Sequence, residues 1–218
     1  MERLIRVTGK GSISAKPDQI RLQLDLSGAE KSYEKTMEAS AKATRQLQDC
    51  LQQEGFAREE IKTCSFSISD KYERIRDENG DWRQVPAGYE FHHGLKVEFA
   101  ADSRRLGEVL RALGKCPARP EFQVAYTVRD PEALKNELIR QATEDSTRKA
   151  RVLAEASGVN LGPVMTIEYA WESLDIAVRP MGRALAAKYC MDEADAVMEM
   201  EPEDIRLEDT VTVTWQIL

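Results

Sequence analysis

The sequence has no apolar run approaching the roughly 18–20 residues that a membrane helix needs, so no membrane insertion is expected. Positive charge is not in excess either. Lys and Arg number 31 against 38 Asp and Glu, and the formal net charge of −7 argues against general affinity for nucleic-acid phosphates. Histidine is confined to His92 and His93, and aromatics make up 6% of the chain. The 4 cysteines, Cys50, Cys64, Cys116 and Cys190, are scattered, with no CxxC pair and no metal-ligand spacing. They read as reduced thiols. Met1, Glu2 and Arg3 do not lead into the basic-then-apolar pattern of a secretory leader. The expected compartment is therefore the cytoplasm as the chain stands, and the periplasm if a leader has been removed.

Catalytic signatures are also lacking. The stretch "VTGKGSISAKPD" at 7–18 carries two glycines around Lys10, but a phosphate-binding loop requires GxxxxGK[ST] between a strand and a helix. Here the glycines lie inside a strand pattern, and a second strand pattern follows Pro17-Asp18. Gly9 and Gly11 are better read as a bulge or as a place where another backbone comes close. Along a strand, His93 falls on the apolar face with Leu95 and His92 on the polar face, so the two cannot readily share a metal ion. No GxSxG elbow surrounds the serines of "CSFSIS". No catalytic, cofactor-binding or metal residue is assigned, no cofactor is expected, and the chain is not expected to be an enzyme.

What is present is a clear succession of periodicities. Ile5 and Val7 share one face of an alternating segment. Ile20, Leu22, Leu24 and Leu26 then alternate with polar residues, the mark of a half-buried strand. From Lys31 the period lengthens, and Tyr33, Met37, Ala41, Thr44, Leu47 and Leu51 form a helical stripe that Gly55 is placed to end. "IKTCSFSIS" alternates again, with Cys64, Phe66 and Ile68 on one face. Asn79-Gly80 reads as a hairpin tip, and Phe91, Leu95, Val97 and Phe99 share a face of the returning strand.

The pattern then recurs. After a short helix near 103–113, Phe122, Val124, Tyr126 and Val128 match Ile20, Leu22, Leu24 and Leu26 in spacing. A long helix follows over about 131–157, with Asp130 as N-cap, Pro131 at its first position and Gly158 past its end. A strand from Thr166 and a final strand, "DTVTVTWQI", complete the second set. The expected fold class is α+β: two tandem βαββ repeats with mixed, mostly antiparallel sheets and long helices packed on one face. A helix of about 25 residues spans about 37 Å, long enough to return the chain along one strand. The expected organisation is residues 1–101, an N-terminal strand plus the first unit; 102–118, a connecting helix and loop; and 119–218, the second unit, all in one integrated domain.

Residues 178–200 interrupt the second unit with an insertion rich in alanine, acidic residues and 4 of the 7 methionines. One reading is a surface excursion with a short helix. The other is an arm that docks on another subunit, with Met181, Leu185, Tyr189, Met191, Val197 and Met198 as the contact residues, because methionine adapts to irregular apolar surfaces.

With these segments on the page, the chain resembles the SIMPL-domain family. The resemblance is carried by "IRVTGKGSISAKPDQIRLQLDL" at 5–26, "IKTCSFSIS" at 61–69, "GYEFHHGLKV" at 88–97, "RKARVLAEASGVNLGPV" at 148–164, "RPMGRALA" at 179–186 and "MEPEDIRLEDTVTVTWQI" at 200–217. It covers nearly the whole chain. It implies an α+β fold without established enzymatic activity, bacterial relatives that are often periplasmic or at the outer membrane, and some that form ring-like or channel-like homo-oligomers. Others are linked to oxidative stress, and an animal member acts as a signalling adaptor for a kinase. The missing leader pattern is a departure from the exported relatives.

The leading expectation is a non-catalytic, self-assembling or partner-binding protein, a homo-oligomer with a stress-related role. One alternative is a small-ligand-binding protein or enzyme with a pocket between the repeats. Another is a signalling adaptor.

Overall fold

A computed structural model describes residues 3–76, 81–170, 176–178 and 202–218. The fold is α+β, with two largely antiparallel sheets and three helices among the described residues. The chain divides into two compact units. Among the described residues, one comprises 3–18, 127–170, 176–178 and 202–218, and the other 19–76 and 81–126.

In the first unit, β1 (Leu4–Ala15) pairs antiparallel with β8 (Ile205–Ile217) in unbroken register, from Leu4 opposite Gln216 to Ala15 opposite Ile205. β6 (Leu161–Glu168) lies on the other side of β8, which gives the order β1-β8-β6. Alternation sorts β8 into a buried row, Ile205, Leu207, Val211, Val213 and Trp215, and a polar row facing water. The polar face carries a Thr8–Thr212 hydroxyl bond of 2.8 Å and the ion pairs Arg6–Glu168 and Lys10–Glu208, each 2.7 Å. Such exposed pairs contribute about 0–1 kcal/mol each.

The apolar face is covered by α3 (Pro131–Ala156), whose first turn is fixed by Asp130 accepting from the Ala133 N–H. Gly158, at φ +67°, lies just past its end. Leu138, Ala142, Ser146, Ala150 and Ala154 form the helix's buried stripe, and small residues dominate it. The glycines of the opening motif explain why. A Cβ built on Gly9 or Gly11 would come closer than 3.0 Å to the carbonyl oxygen of Ala142 or Leu138 respectively. Helix backbone therefore rests directly on strand backbone, and the motif is a seat for α3.

In the second unit, β2 (Gln19–Glu30), β3 (Lys62–Arg76), β4 (Trp82–Ala100) and β5 (Glu121–Thr127) stand in the order β3-β4-β2-β5. β4 is antiparallel to both β2 and β3, so those two run the same way, as a helix crossover between them requires. β5, the spacing match of β2, stands beside it in the same sheet, while β1 takes the place next to β8. Within the first unit, the two-residue β7 (Ala177–Val178) follows Ile176, whose carbonyl accepts from the Thr127 hydroxyl at 2.5 Å.

Two helices close the core of the second unit. α1 (Tyr33–Gln53) starts at the Ser32 cap and is followed by Gly55 at φ +85°. α2 (Ser103–Lys115) starts at Asp102, which accepts from the N–H groups of Arg104 and Arg105. Ile20, Leu22, Leu24, Leu47, Leu51, Val97 and Leu106 are fully buried among them.

Three expectations about faces and limits need correction. Over its first two turns α1 buries Thr36 and Ser40, while Tyr33 and Met37 are exposed. The Thr36 hydroxyl donates toward the carbonyls of Ser32 and Tyr89, so a short polar side chain lets the helix sit low on β4. β3 does not alternate cleanly either. A register shift between Thr63 and Ser65 brings both Thr63 and Phe66 to His93. Finally, β6 begins at Leu161 rather than Thr166, with irregularities around Val164 where it joins β8.

Candidate interaction surfaces

Strand edges are where a sheet can take up further chain, because their outer N–H and C=O groups need partners. The edges of the first unit are treated differently. Along β1, the Lys10 N–H donates to Asp145 Oδ2 at 2.9 Å and the Ser12 N–H to Gln141 Oε1 at 3.4 Å, while Lys149 Nζ donates to the Thr8 carbonyl at 3.4 Å. Side chains of α3 thus occupy outer groups of β1 along its middle, at Thr8, Lys10 and Ser12. Asp145 is held at about 2, below the usual carboxylate range, first by the Lys149 hydrogen bond and then by the Lys10 N–H.

β6, at the other end, has one strand neighbour among the described residues. It exposes Val164, Met165 and Ile167, at 50%, 50% and 59% of their surface. Val164 stands opposite Trp215 and Thr166 opposite Thr214, so Met165 is the extra residue of a bulge, and the apolar side chains on either side of it are left in water. Pro163 and the irregular register limit how far the edge can template another strand.

In the second unit the exposed feature is a ribbon. β2 ends opposite Tyr89, but β3 and β4 continue as a two-stranded pair as far as Arg76 opposite Trp82. The expected hairpin tip at Asn79-Gly80 falls on 77–80, outside the described residues. Tyr72 and Trp82 fall on one face of the ribbon with Pro86, and Ile75 and Val85 on the other. Tyr72 is 55% exposed, Ile75 46% and Trp82 68%. A lone two-stranded ribbon is marginally stable in water, and large apolar side chains on both of its faces need a cover.

His93, on β4, sits between α1 and the edge strand β3. The Thr44 hydroxyl donates to the Ser40 carbonyl at 2.9 Å, so at 3.0 Å it accepts from His93 Nδ1–H. Nε2 is then the acceptor for the Thr63 hydroxyl at 3.0 Å, and Phe66 meets the ring edge-on at 5.2 Å. Burial lowers the His93 pKa. His92 points the other way and is exposed, as alternation requires. The pair is therefore not assembled into a shared site, and His93 is a fully bonded joint between helix and sheet.

The three described cysteines divide as well. Cys64 is exposed at the β3 irregularity, Cys50 is half-buried on α1, and Cys116 is buried at the end of α2. Sequence periodicity carries no sign that the last two are neighbours. The contact residues expected on the insertion, Met181, Leu185, Tyr189, Met191, Val197 and Met198, lie outside the described residues. Among the described residues, no group of three His, Cys, Asp or Glu is placed to hold a metal ion, and no helix is long and apolar enough to cross a membrane. The exposed apolar edges were not legible beforehand, because an alternating strand reads the same whether its apolar row is covered or not.

Comparison with known proteins gives relatives rather than an activity. The chain is 26% identical over 163 residues to the 26 kDa periplasmic immunogenic protein of Brucella melitensis, which covers 75% of this chain and 65% of that protein. The chain thus spans less than two thirds of that relative's length. It is 21% identical over 210 residues to the uncharacterized protein YggE of Edwardsiella ictaluri, covering 96% of this chain and 85% of that one. Among solved structures, the regulatory subunit of aspartate kinase from Thermus flavus aligns over 97% of this chain and 89% of its own, at 11% identity and a TM-score of 0.19. A score that low carries no argument. The family comparison is decisive: the SIMPL profile, described as a protein of unknown function (DUF541), matches residues 5–215, and the chain belongs to that family.

Proposed function

We propose that this protein works without catalysis, as a self-assembling or partner-binding module that docks through its exposed strand edges. The observation that carries this reading is the β3–β4 ribbon, with Tyr72, Ile75 and Trp82 exposed on its two faces. The open β6 edge adds a second surface of the same kind, whereas the β1 edge is closed by α3. Exposed aromatic and aliphatic groups on an edge are what an interface buries. The favoured partner is a further copy of the same chain, because a strand edge is readily self-complementary in an antiparallel pair. The stress-related role belongs to this reading as its physiological setting.

The periplasm is the compartment this reading favours, supported by the naming of the 26 kDa relatives as periplasmic. The net charge of −7 keeps nucleic acid out of the proposal.

Light scattering after size exclusion tests it on the full chain, on Tyr72→Glu/Trp82→Glu, and on a chain lacking residues 180–198. The expected result is a discrete oligomer that the ribbon substitutions reduce to monomer while the circular dichroism spectrum is kept. Dissociation on deleting 180–198 alone would move the interface to the insertion. A wild-type monomer at tens of micromolar would overturn self-assembly.

A further inference from the structure

A pair of cysteines far apart in sequence meets where α1 and α2 pack. The Cys50 thiol donates to the Ala112 carbonyl at 3.3 Å, and the Cys116 thiol to the Gln46 carbonyl at 3.8 Å. Ala112 lies one helical turn before Cys116, and Gln46 one turn before Cys50. Each sulfur is thus bonded to the turn that precedes the other cysteine, a reciprocal arrangement that sets the two thiols side by side. Both line one open groove of about 420 Å³, with Gln46, Asp49, Ala112 and Pro117 among its walls. Cys50 is the more accessible of the two, since Cys116 keeps only 3% of its surface exposed.

We propose that Cys50 and Cys116 form a two-electron thiol–disulfide site that opens onto the α1–α2 groove and takes a low-molecular-weight disulfide as its oxidant. The Cys50 thiol loses its proton to water, and its sulfur attacks one sulfur of the small disulfide. A mixed disulfide forms, one small thiolate leaves and takes a proton back from water, and the Cys116 thiol gives up its proton to the second small thiolate in the step that follows. The Cys116 sulfur then attacks Cys50 Sγ, which forms the intramolecular bond and releases the second small thiol. Two protein thiols are oxidised, one small disulfide is reduced to two thiols, and no further reactant is needed.

Burial, the neighbouring Cys116 and the charge of Glu54 push the Cys50 thiol up to about 11. The site therefore reacts slowly at neutral pH, as suits a bond that forms once and persists. The resulting cross-link ties α1 to α2 across a long stretch of chain, which restricts the unfolded state far more than the folded one. This inference is independent of the edge-docking proposal, because neither cysteine lies on the ribbon or on β6.

The test uses the full chain and hydroxyethyl disulfide. After acid quenching, intact mass and a non-reducing peptide map are read, with Cys64→Ser as the control. The expected product lacks two hydrogens once hydroxyethyl adducts on Cys64 and Cys190 are subtracted, carries no adduct at Cys50 or Cys116, and yields one peptide joining these two residues in wild type and in Cys64→Ser. Cys116→Ser should instead retain the mixed disulfide on Cys50. Oxidised wild type should melt at least about 5 °C higher than the reduced protein, with dithiothreitol reversing the gain. If Cys50 and Cys116 remain separately alkylatable after exposure that modifies Cys64, or if the mapped link joins other cysteines, the proposal is wrong. The wild-type peptide map decides this even where a variant does not fold.

Discussion

Gly9 of β1 lies directly beneath the carbonyl of Ala142 in α3, so closely that a methyl group on Gly9 would fall within 3.0 Å of that oxygen. The contact is backbone to backbone, and no side-chain rotation can relieve it. Gly9→Ala should therefore cost about 1–3 kcal/mol or more, read as a lower urea midpoint. Gly107 is the matched control. It lies inside α2, and a methyl group there would have nothing within 4 Å, so Gly107→Ala should stabilise by about 0.5–1 kcal/mol. Equal effects of the two substitutions would contradict the close seat of α3.

Asp145 supplies the acid-sensitive part of the same seat. Its carboxylate accepts from the Lys10 N–H at 2.9 Å and from Lys149 Nζ at 2.7 Å, and its folded pKa of about 2 lies below the ordinary 3.8. A group depressed on folding contributes stability that is complete above its unfolded pKa and is lost as pH falls through the folded value. That contribution should disappear between about pH 4 and pH 2. Asp145→Asn should lower stability at pH 7 by about 1–2 kcal/mol and make the acid limb of the curve shallower. A variant curve parallel to wild type from pH 7 to 2 would refute the assignment.

His93 acts in a higher window. Burial lowers its pKa from 6.5, so the neutral form is the folded one. Its contribution is complete above 6.5 and is lost as pH falls through the lower folded value. Thr44 on α1, Thr63 and Phe66 on β3, and Leu26 opposite it on β2 surround the ring, and none of these carries a charge. Urea midpoints at pH 7.5 and 5.0 should differ more in wild type than in His93→Gln, which keeps polar atoms at the joint. Identical differences would remove His93 from the pH response.

Cys50 offers a kinetic check on its surroundings. Asp49 on α1 and Glu54 just past its end, with Glu108, Arg111 and Lys115 on α2, share its groove. Because its thiol titrates near 11, alkylation by iodoacetamide should accelerate about tenfold per pH unit between pH 7 and 9, following the thiolate fraction. A rate that bends toward a plateau by pH 9 would mean an ordinary thiol, and one already level by pH 8 an activated one.

Much of the local structure was legible before the fold was known. The limits of α3 followed from Asp130, Pro131 and Gly158, and the β2 and β4 rows followed from strict alternation, because caps and periodicity are written in the residues that enforce them. The opening glycines were legible as a close approach, though not what approaches them. The face of α1 was misread at Tyr33 and Met37 because apolar size suggested burial, whereas the limited space over β4 admits Thr36 and Ser40 instead. The Cys50–Cys116 neighbourhood had no local signal at all.

The sequence by itself determined the family, the α+β class, where helices and strands form, and which side of most strands is apolar. Only the tertiary structure decided that β1 crosses to β8 at the far end of the chain, that α3 closes the β1 edge, and that β6 and the β3–β4 ribbon keep their apolar groups in water. The reason is physical. Periodicity and capping act between residues a few positions apart and leave a pattern in the chain. Strand partners are joined by backbone N–H and C=O groups that every residue but proline carries alike, so which strands meet and which edges stay open is settled by packing the whole core.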